Sequence, residues 1–315
     1  MKTVLFGAFD RHNLGDLLLA RLAAAEAGGP VAFAGLAHRD LTREGGPRVL
    51  PLAEAVAHTP VRLIHVGGEI LDCDAEQAAF MLGEPGLRWQ RAAPYVLPKS
   101  ALPAGSTVEF RAVGGVGLAA RPAAFQQEVL AALAEADLLS VRDRTSRDFL
   151  LAAGLSPRLS PDPATRVAER FAPEIRQRGT GLRGHVAVQF AAEWGDDASL
   201  DALARGLARH GGPVVLFRAG AAPWHDDLEP YRRLVTKLTM PSRIHSGLHL
   251  WDICALIAQA RLFIGTSLHG RLVAEAFGVP AISLEQSPGS ARKLRAYLET
   301  WQPEAAPVAL ADFAG

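Results

Sequence analysis

The segment spanning residues 260–284 constrains the fold more than any other part of the chain. Its first apolar run, residues 262–264, is closed by a glycine, which is typical of a strand buried in a parallel sheet. Apolar residues then recur at helical spacing over residues 268–277, and a second apolar run follows at residues 281–284. A strand, a tight turn, a helix and a strand in this order predict a βαβ unit.

The first turn of the predicted helix carries polar side chains. Thr266 or Ser267 can cap the helix, and His269 and Arg271 follow within one turn. A helix N-terminus offers free N–H groups and a partial positive charge, so it suits an anion. Open α/β folds also bind ligands at this edge of the sheet. The plainer alternative is that Ser267 is only a cap and His269 only a surface histidine.

The same alternation of strands and helices runs through both halves of the 315-residue chain. Strands are predicted at residues 3–6, 31–34, 62–66, 110–113, 138–141, 185–190, 214–217, 243–245, 262–264 and 281–284. Helices are predicted at residues 14–27, 123–136, 146–153, 200–209, 228–238, 250–259, 268–277 and 291–298. We therefore predict two parallel α/β domains that face each other, residues 1–166 and 184–315. A Pro- and Gly-rich stretch marks residues 167–183 as the linker.

Composition and charge narrow the functional classes. Apolar residues make up 49% and charged residues 21% of the chain, a balance typical of soluble globular proteins. The 33 basic and 33 acidic residues cancel, which argues against nucleic acid as a partner. Cys73 and Cys254 show no metal-ligand spacing and are expected to be buried thiols in a reducing cytosol. No signal peptide and no apolar run of ~18 residues are present, so we expect a cytoplasmic protein.

Asn13, Gly15 and Asp16 follow the first predicted strand, at the usual ligand edge of the sheet. Asn13 can cap the next helix, which alone would explain its identity. Gly15 is harder to explain, because glycine inside a helix costs ~1 kcal/mol relative to alanine. Close approach of another backbone or of a ligand would account for it. The spacing of Gly7 and Gly15 is not that of the dinucleotide-binding fingerprint.

Three further strand ends in the first half carry glycine or charge. Gly67, Gly68 and Glu69 follow one strand, and a glycine-rich run that includes Gly117 follows the next. Glycine at a strand end more often serves a turn than a ligand, but these share the predicted edge with Asn13. A common cleft is therefore expected.

Arg142 ends another strand, and arginine binds carboxylate or phosphate through two oxygens at once. A solvated charge run is the alternative for residues 142–144. Asp162 is expected to serve a structural turn. Residues 225–227 (His-Asp-Asp) resemble a metal cluster, but no matching ligands stand near them, so we expect a helix start instead of a zinc site.

The ordered set of motifs resembles the polysaccharide pyruvyl transferase family over about nine-tenths of the chain. The matching pieces are Asn13-x-Gly15-Asp16, Gly67-Gly68 with Asp72, Gly115-x-Gly117, Arg142-Asp143 with Ser146, Asp162-Pro163, Ser267-Leu268-His269-Gly270 and Gly278-Val279-Pro280. The resemblance implies two Rossmann-like domains in the style of GT-B glycosyltransferases. It also implies transfer of the pyruvyl group of phosphoenolpyruvate to a sugar of a cell-surface or exopolysaccharide precursor, usually as a cyclic ketal.

The resemblance also suggests roles for individual residues. His269 corresponds to the family's histidine and is assigned acid or base work, which suits an imidazole near neutral pH. Asp16 or Glu69 is expected to position or deprotonate the acceptor. Arg142 corresponds to an arginine that is expected to hold phosphoenolpyruvate. Ser267 stands where many members have arginine, so Arg271 is expected to supply that charge. The remaining predicted substrate-binding residues are Asn13, Gly15, Gly67, Gly68, Gly117, Ser267, Leu268, Gly270 and Lys293.

Partners follow from the same resemblance. Phosphoenolpyruvate is the expected co-substrate, with no cofactor and no metal, because arginines can neutralise the phosphate. The expected acceptor is a sugar or a lipid-linked oligosaccharide; a lipid-linked one would place the protein at the inner membrane face as a peripheral protein. Trp89, Arg91 and Tyr95, in a loop over residues 81–106, are available for stacking on it.

Two other functions remain open. The first is a GT-B-type glycosyltransferase that uses a nucleotide sugar, for which Glu285 is the candidate ribose-binding acid. The second is a non-catalytic sugar-binding protein of the same fold. The sequence specifies neither the acceptor nor the oligomeric state.

Overall fold

The computed structural model describes residues 1–178, 181, 183–223 and 225–315. The chain forms two compact units, one of residues 1–12 and 16–163 and the other of residues 13–15 and 164–315. Each unit contains one sheet of predominantly parallel strands. The predicted α/β class with two parallel-sheet domains is therefore confirmed.

The sheet of the first unit has eight strands in the order β3-β4-β2-β1-β5-β6-β7-β8. They are β1 (Lys2–Phe6), β2 (Val31–Gly35), β3 (Arg39–Asp40), β4 (Arg48–Pro51), β5 (Val61–Val66), β6 (Thr107–Val113), β7 (Leu138–Val141) and β8 (Arg158–Leu159). All neighbours pair in parallel except β3 and β4, which form an antiparallel edge. Most residues of the central strands β5 and β6 are buried, as expected where helices cover both faces of a parallel sheet.

Five helices belong wholly or mostly to this unit: α1 (Leu14–Glu26), α2 (Leu52–Ala55), α3 (Ala75–Met81), α4 (Ala123–Ala134) and α5 (Arg144–Ala152). His65 is completely buried in the core and stacks on Phe110 with ring centroids 3.8 Å apart. Its Nε2 accepts a hydrogen bond from the backbone N–H of Leu97 at 3.1 Å. Burial lowers the pKa of His65 to about 3, so the ring is neutral in the folded protein near pH 7.

The sheet of the second unit has six parallel strands in the order β11-β10-β9-β12-β13-β14. They are β9 (Val186–Gln189), β10 (Val214–Phe217), β11 (Ser242–His245), β12 (Leu262–Gly265), β13 (Ala281–Glu285) and β14 (Val308–Ala309). Its helices are α6 (Val167–Gln177), α7 (Asp197–His210), α8 (Leu228–Lys237), α9 (Leu250–Ala258), α10 (Leu268–Ala276), α11 (Arg292–Trp301) and α12 (Leu310–Ala314).

Most of the predicted linker, residues 167–183, is helical. Helix α6 occupies residues 167–177 and packs on α9, where the rings of Phe171 and Trp251 lie 4.8 Å apart. Gly179, Thr180 and Leu182 of the predicted linker lie outside the described residues.

Two general features of the chain bear on its class. Cys73 and Cys254 are both free and buried, as expected. Within the described ranges, no helix combines the length and the apolar character that crossing a membrane requires.

Candidate functional site

The second unit brings the Asn13-x-Gly15 segment and the histidine of α10 together. The side-chain carbonyl of Asn13 accepts a hydrogen bond from the backbone N–H of Gly15 at 2.9 Å, which confirms Asn13 as the cap of α1. The backbone N–H of Leu14 donates to the carbonyl of Ala219 at 2.6 Å. A Cβ on Gly15 would lie 2.1 Å from Nδ1 of His269, so only glycine leaves room for the imidazole. The close approach predicted at Gly15 is thus made by a side chain.

Helix α10 begins with a side-chain cap. Ser267 is the N-cap, and its hydroxyl accepts from the N–H of Gly270 at 3.1 Å. A Cβ on Gly270 would lie 2.7 Å from the ring of Phe263, so this glycine allows the helix to pack closely on β12. Leu268 is buried under the same turn, and His269 is half-buried. These contacts fix where the imidazole leaves the helix.

A buried glutamine holds the turn that precedes α10. Gln189, the last residue of β9, accepts the backbone N–H of Ser267 at 2.9 Å through its side-chain carbonyl. Its amide NH₂ donates to the carboxyl of Asp226 at 2.9 Å. Because each end of the amide has its own partner, the orientation of Gln189 is set by Asp226. The predicted anion site at the α10 N-terminus thus loses one N–H to a protein acceptor.

The carboxyl of Asp226 also anchors the segment that receives Leu14. Its second oxygen accepts the backbone N–H of Ala219 at 2.5 Å. One carboxyl therefore supports both the Ala219 segment and, through Gln189, the Ser267 turn. Burial raises the pKa of Asp226 to about 7, against the lowering effect of these hydrogen bonds. The following residue, Asp227, caps α8 by accepting the N–H of Glu229, as expected for a helix start.

Two predicted cations of the second unit differ in their surroundings. Arg271 is 8% exposed and forms an ion pair with Glu275 at 2.7 Å. Its other donors reach the hydroxyl of Ser283 at 3.1 Å and the side chain of Gln302 at 2.9 Å. These bonds tie α10 to β13 and to the end of α11, which makes Arg271 a cross-brace of the fold. Lys293 is exposed on α11.

Arg142 is the centre of a buried ion triad in the first unit. Its guanidinium donates to Glu69 at 2.6 Å and to Asp162 at 2.9 Å, and its side chain is 4% exposed. Burial alone would lower the pKa of Arg142, but the two carboxylates override it and raise the pKa. Asp162, expected to serve a structural turn, is completely buried in this triad. The guanidinium of Arg142 is thus already paired with two carboxylate oxygens of the protein, the kind of acceptor that a substrate anion would supply.

The glycines of the first unit serve turns and close packing. Gly67 and Gly68 have φ of +47° and +75°, a conformation that side chains other than glycine rarely adopt. The N–H of Gly117 donates to the carboxylate of Asp72 at 2.7 Å, and a Cβ there would lie 2.4 Å from that oxygen. The hydroxyl of Ser146 accepts the N–H of Gly115 at 2.9 Å. Each glycine thus has a structural reason inside its own unit.

Asp16 lies in a polar cluster that the sequence did not reveal. Its carboxylate is 3.8 Å from Nε of Arg11, whose Nη1 donates to the hydroxyl of Tyr95 at 3.3 Å. The Tyr95 hydroxyl donates to Asp10, also at 3.3 Å. Tyr95 is completely buried, so the prediction that it stacks on a sugar is wrong. Arg91 is occupied as well, since its Nε donates to the carbonyl of Val96 at 3.0 Å.

Sequence reasoning missed Gln189 and Arg11, and it considered Asp226 only as part of a metal cluster or a helix start. Each of these residues ends an apolar strand or lies in the loop that follows one, and this position was the signal that could have identified them. Their partners, however, depend on side-chain direction, which spacing does not give. Across the described residues, no group of three or more His, Cys, Asp or Glu side chains is arranged to hold a metal ion.

Comparisons with known proteins agree with this architecture. The family model for polysaccharide pyruvyl transferase matches residues 58–288. The sequence has no significant match among curated proteins. Among solved structures, the S. aureus MnaA–UDP co-structure aligns with a TM-score of 0.56 at 12% identity, covering 100% of this chain and 86% of that chain. UDP-GlcNAc 2-epimerase from Neisseria meningitidis bound to UDP-GlcNAc gives 0.54 at 10% identity, covering 100% and 90%. These likenesses show the fold, two parallel-sheet domains of the GT-B type.

Proposed function

The chain belongs to the polysaccharide pyruvyl transferase family, and on this premise we propose that it transfers the pyruvyl group of phosphoenolpyruvate to a sugar. The acceptor is proposed to be a precursor of a cell-surface or exopolysaccharide, linked to a nucleotide or a lipid. A lipid-linked acceptor would require peripheral association with the inner face of the membrane. The position of His269 against Gly15 carries the proposal, because it joins two of the family's motifs.

The chemistry of an enol phosphate sets what the protein must supply. Protonation of the methylene carbon makes a methyl group and leaves the adjacent carbon electrophilic. A sugar hydroxyl attacks that carbon, and the C–O bond to phosphate breaks. A second hydroxyl attacks the same carbon and closes the ketal. Of the two hydroxyl protons released, one balances the proton placed on the methyl group and the other leaves with inorganic phosphate.

His269 is proposed to move the proton. Its ring is half-buried, and Ser267 and Gly15 define its position. Partial exclusion of water and a fixed ring favour proton transfer, because general acid–base catalysis depends on geometry before pKa. Leu268 lies in the same turn of α10 as His269, and Asn13 caps the helix start that contains Gly15. Gly270 has a packing role here.

Asp16 is proposed to position or deprotonate the acceptor hydroxyl, with Arg11 beside it at 3.8 Å. Glu69 is a weaker candidate for this task, because one oxygen is paired with Arg142 and the other accepts the N–H of Val116 at 2.7 Å. We propose that Arg142 and Glu69 act through the backbone they hold. The glycines 67, 68 and 117 act in the same indirect way.

The decisive experiment is incubation with phosphoenolpyruvate and a panel of nucleotide-linked and lipid-linked sugars. Phosphate release and the mass of a ketal-linked pyruvate on the acceptor are measured together. We expect stoichiometric formation of both, and a loss on the order of 100-fold or more in His269→Gln. His38→Gln is the matched control, because His38 is exposed. Full activity in His269→Gln would remove the histidine from the mechanism, and no product from any acceptor would sink the proposal.

A nucleotide-sugar glycosyltransferase is the second candidate, and its predicted ribose-binding acid is already engaged. Glu285 is 3% exposed, forms an ion pair with Arg295 and accepts the N–H of Gly289 at 2.9 Å. The solved structures named above contain UDP or UDP-GlcNAc, so these two compounds belong in the same panel. Sugar transfer from a nucleotide sugar without phosphoenolpyruvate would favour this alternative.

A further inference from the structure

Arg218 lies at the edge of the second sheet where the motif of α10 begins. It follows directly on the last residue of β10, which pairs with β9, and β9 pairs with β12. Leu216, Val188 and Ile264 lie side by side in this register. Parallel neighbours are about 4.8 Å apart, so the ends of β10 and β12 are separated by about 10 Å. Arg218 and Ser267 therefore flank the end of β9 from opposite sides.

Among the described residues, the guanidinium of Arg218 has no hydrogen-bond or ion-pair partner. Its Nε is buried without a hydrogen bond, and no other hydrogen bond or ion pair of the side chain is found within the described part of the chain. Among the described residues, Nε of three other arginines also lacks a well-aligned hydrogen bond, but each of these guanidinium groups has a partner. Nε of Arg271 forms an ion pair with Glu275, Nη2 of Arg295 pairs with Glu285, and Nη1 of Arg11 donates to Tyr95. A buried donor on a charged group without a partner is costly, and such groups require an explanation.

The neighbouring polar groups are committed to other bonds. The two oxygens of Asp226 accept from Gln189 and from the backbone of Ala219, and burial favours the neutral form of this carboxyl. The hydroxyl of Tyr231 donates to the carbonyl of Phe190 at 3.0 Å. Burial raises the pKa of Tyr231, and the positive charge of Arg218 opposes that rise, which places the charge near the end of β9. The positive charge of Arg218 is thus not cancelled by a bonded carboxylate.

We propose that Arg218 binds an oxyanion of the substrate at the carboxyl edge of the second sheet. The identity of the oxyanion rests on the proposed function, which makes it the phosphate or the carboxylate of phosphoenolpyruvate. Arg142 and Arg271 are occupied by protein acceptors, and Ser267 carries no charge. Arg218 supplies the two parallel donors that either group requires.

The test is titration calorimetry of wild type and Arg218→Gln with four probes: phosphoenolpyruvate, inorganic phosphate, pyruvate and UDP. We expect phosphoenolpyruvate to bind on the order of 10- to 100-fold more weakly to Arg218→Gln, because charge-assisted hydrogen bonds are lost. A matching loss for phosphate alone assigns Arg218 to the phosphate, and a matching loss for pyruvate alone assigns it to the carboxylate. Arg232→Gln is the matched control, because Arg232 lies on the surface of α8 with its side chain 63% exposed.

Thermal unfolding shows whether weaker binding by Arg218→Gln comes from a destabilised fold. Since Arg218 has no bonded partner in the described part of the chain, Arg218→Gln is expected to unfold at the wild-type temperature. If Arg218 had a structural role, the substitution would lower the unfolding temperature. Arg218→Lys keeps the charge but not the fork, and it is expected to bind with intermediate affinity. Arg218-dependent binding of UDP without binding of phosphoenolpyruvate would support the oxyanion site and reject the pyruvyl transfer. Unchanged affinity of Arg218→Gln for every probe that binds wild type, or no binding of any probe, would overturn the proposal.

Discussion

The Cα of Gly15 lies so close to the imidazole of His269 that an added Cβ would be 2.1 Å from Nδ1. Real Cβ atoms do not approach another heavy atom at that distance, so either the ring or the helix start would have to move. The Asn13-x-Gly15 motif is therefore explained by the ring that it accommodates. Glycine at this position costs the helix ~1 kcal/mol relative to alanine. It is needed because it leaves room for the imidazole, a candidate proton-transfer group.

Gly15→Ala is expected to reduce turnover far more than stability. Displacing the imidazole by about 1 Å is enough to cost on the order of 100-fold in rate. Overpacking is expected to lower the free energy of unfolding of this variant by about 1–3 kcal/mol, and the higher helix propensity of alanine raises it by up to ~1 kcal/mol. Turnover and urea unfolding of the same preparations give both quantities.

A second background identifies the ring as the cause. In His269→Ala, the added methyl of Gly15→Ala has room, so it is expected to leave stability unchanged or to raise it slightly. Gly29→Ala is the control, since a Cβ at Gly29 meets no atom within 4 Å. Equal destabilisation by Gly15→Ala with and without the histidine would contradict this account.

Arg142→Gln is expected to destabilise the first unit by about 3–5 kcal/mol, because it leaves Glu69 and Asp162 as buried carboxylates without a counter-charge. Arg48→Gln is the control, since it removes an ion pair whose partners are 69% and 44% exposed. That change is expected to stay within ~0.5 kcal/mol. Urea unfolding measures both. If Arg142→Gln had wild-type stability but no affinity for phosphoenolpyruvate, the structural role would be contradicted and Arg142 would be an anion-binding residue.

The regular elements could be predicted because their apolar periods are local. Strands β7 and β10 begin and end at the predicted residues, 138–141 and 214–217. Helix α6 was missed because Pro173 and the glycines nearby indicated a linker. Its apolar face packs on α9, and such tertiary contacts override weak propensity. The antiparallel edge formed by β3 and β4 was missed because β3 is only two residues long.

The site was predictable only in part, for a related reason. Periodicity placed Asn13, Arg142 and His269 at strand ends or helix starts, and the structure has them there. The pairing of Arg142 with Glu69 joins residues 73 positions apart. Which oxygen meets which donor depends on rotamers and on the twist of the sheet, and no local pattern encodes these.

Asp226 is expected to make the stability of the second unit fall as pH rises. Its folded-state pKa of about 7 lies above the ordinary value of 3.8, so the folded state holds a proton that the unfolded state has lost. The stabilising contribution is complete below pH ~4 and is lost as pH rises through about 7, by at most ~1.4 kcal/mol per pH unit. The stability difference between wild type and Asp226→Asn, measured by urea unfolding from pH 4 to 8, is expected to follow this slope. A difference that does not change with pH would refute the assignment.

His65 acts in the opposite sense and explains why a difference is measured. Its folded-state pKa of about 3 lies below the ordinary 6.5, so its contribution is complete above pH ~6.5 and is lost as pH falls towards 3. The difference between wild type and Asp226→Asn cancels the contribution of His65, because both proteins contain this histidine.

We expect that the hydrogen bond between Gln189 and Asp226 can be reversed by exchanging the amide and the carboxyl between the two positions. Gln189→Glu removes the NH₂ donor and places a second carboxyl against Asp226. Asp226→Asn alone places its new NH₂ group against another donor, either the NH₂ of Gln189 or the N–H of Ala219. Each single change is expected to cost about 1–3 kcal/mol. In the double variant, the new amide at position 226 would donate to the new carboxylate at position 189 and still accept from Ala219. That carboxylate would still accept the N–H of Ser267.

A double-mutant cycle in urea measures the exchange, and a favourable coupling of about 1–3 kcal/mol is expected. The same variants test whether this bond positions His269, because turnover should fall in both single variants and recover in the double variant. Gln126→Glu is the control, since Gln126 donates only to the backbone carbonyls of Ala119 and Arg121 among the described residues. Additive losses in stability would mean that the two side chains are held independently. Recovered stability without recovered turnover would confine the pair to supporting the fold.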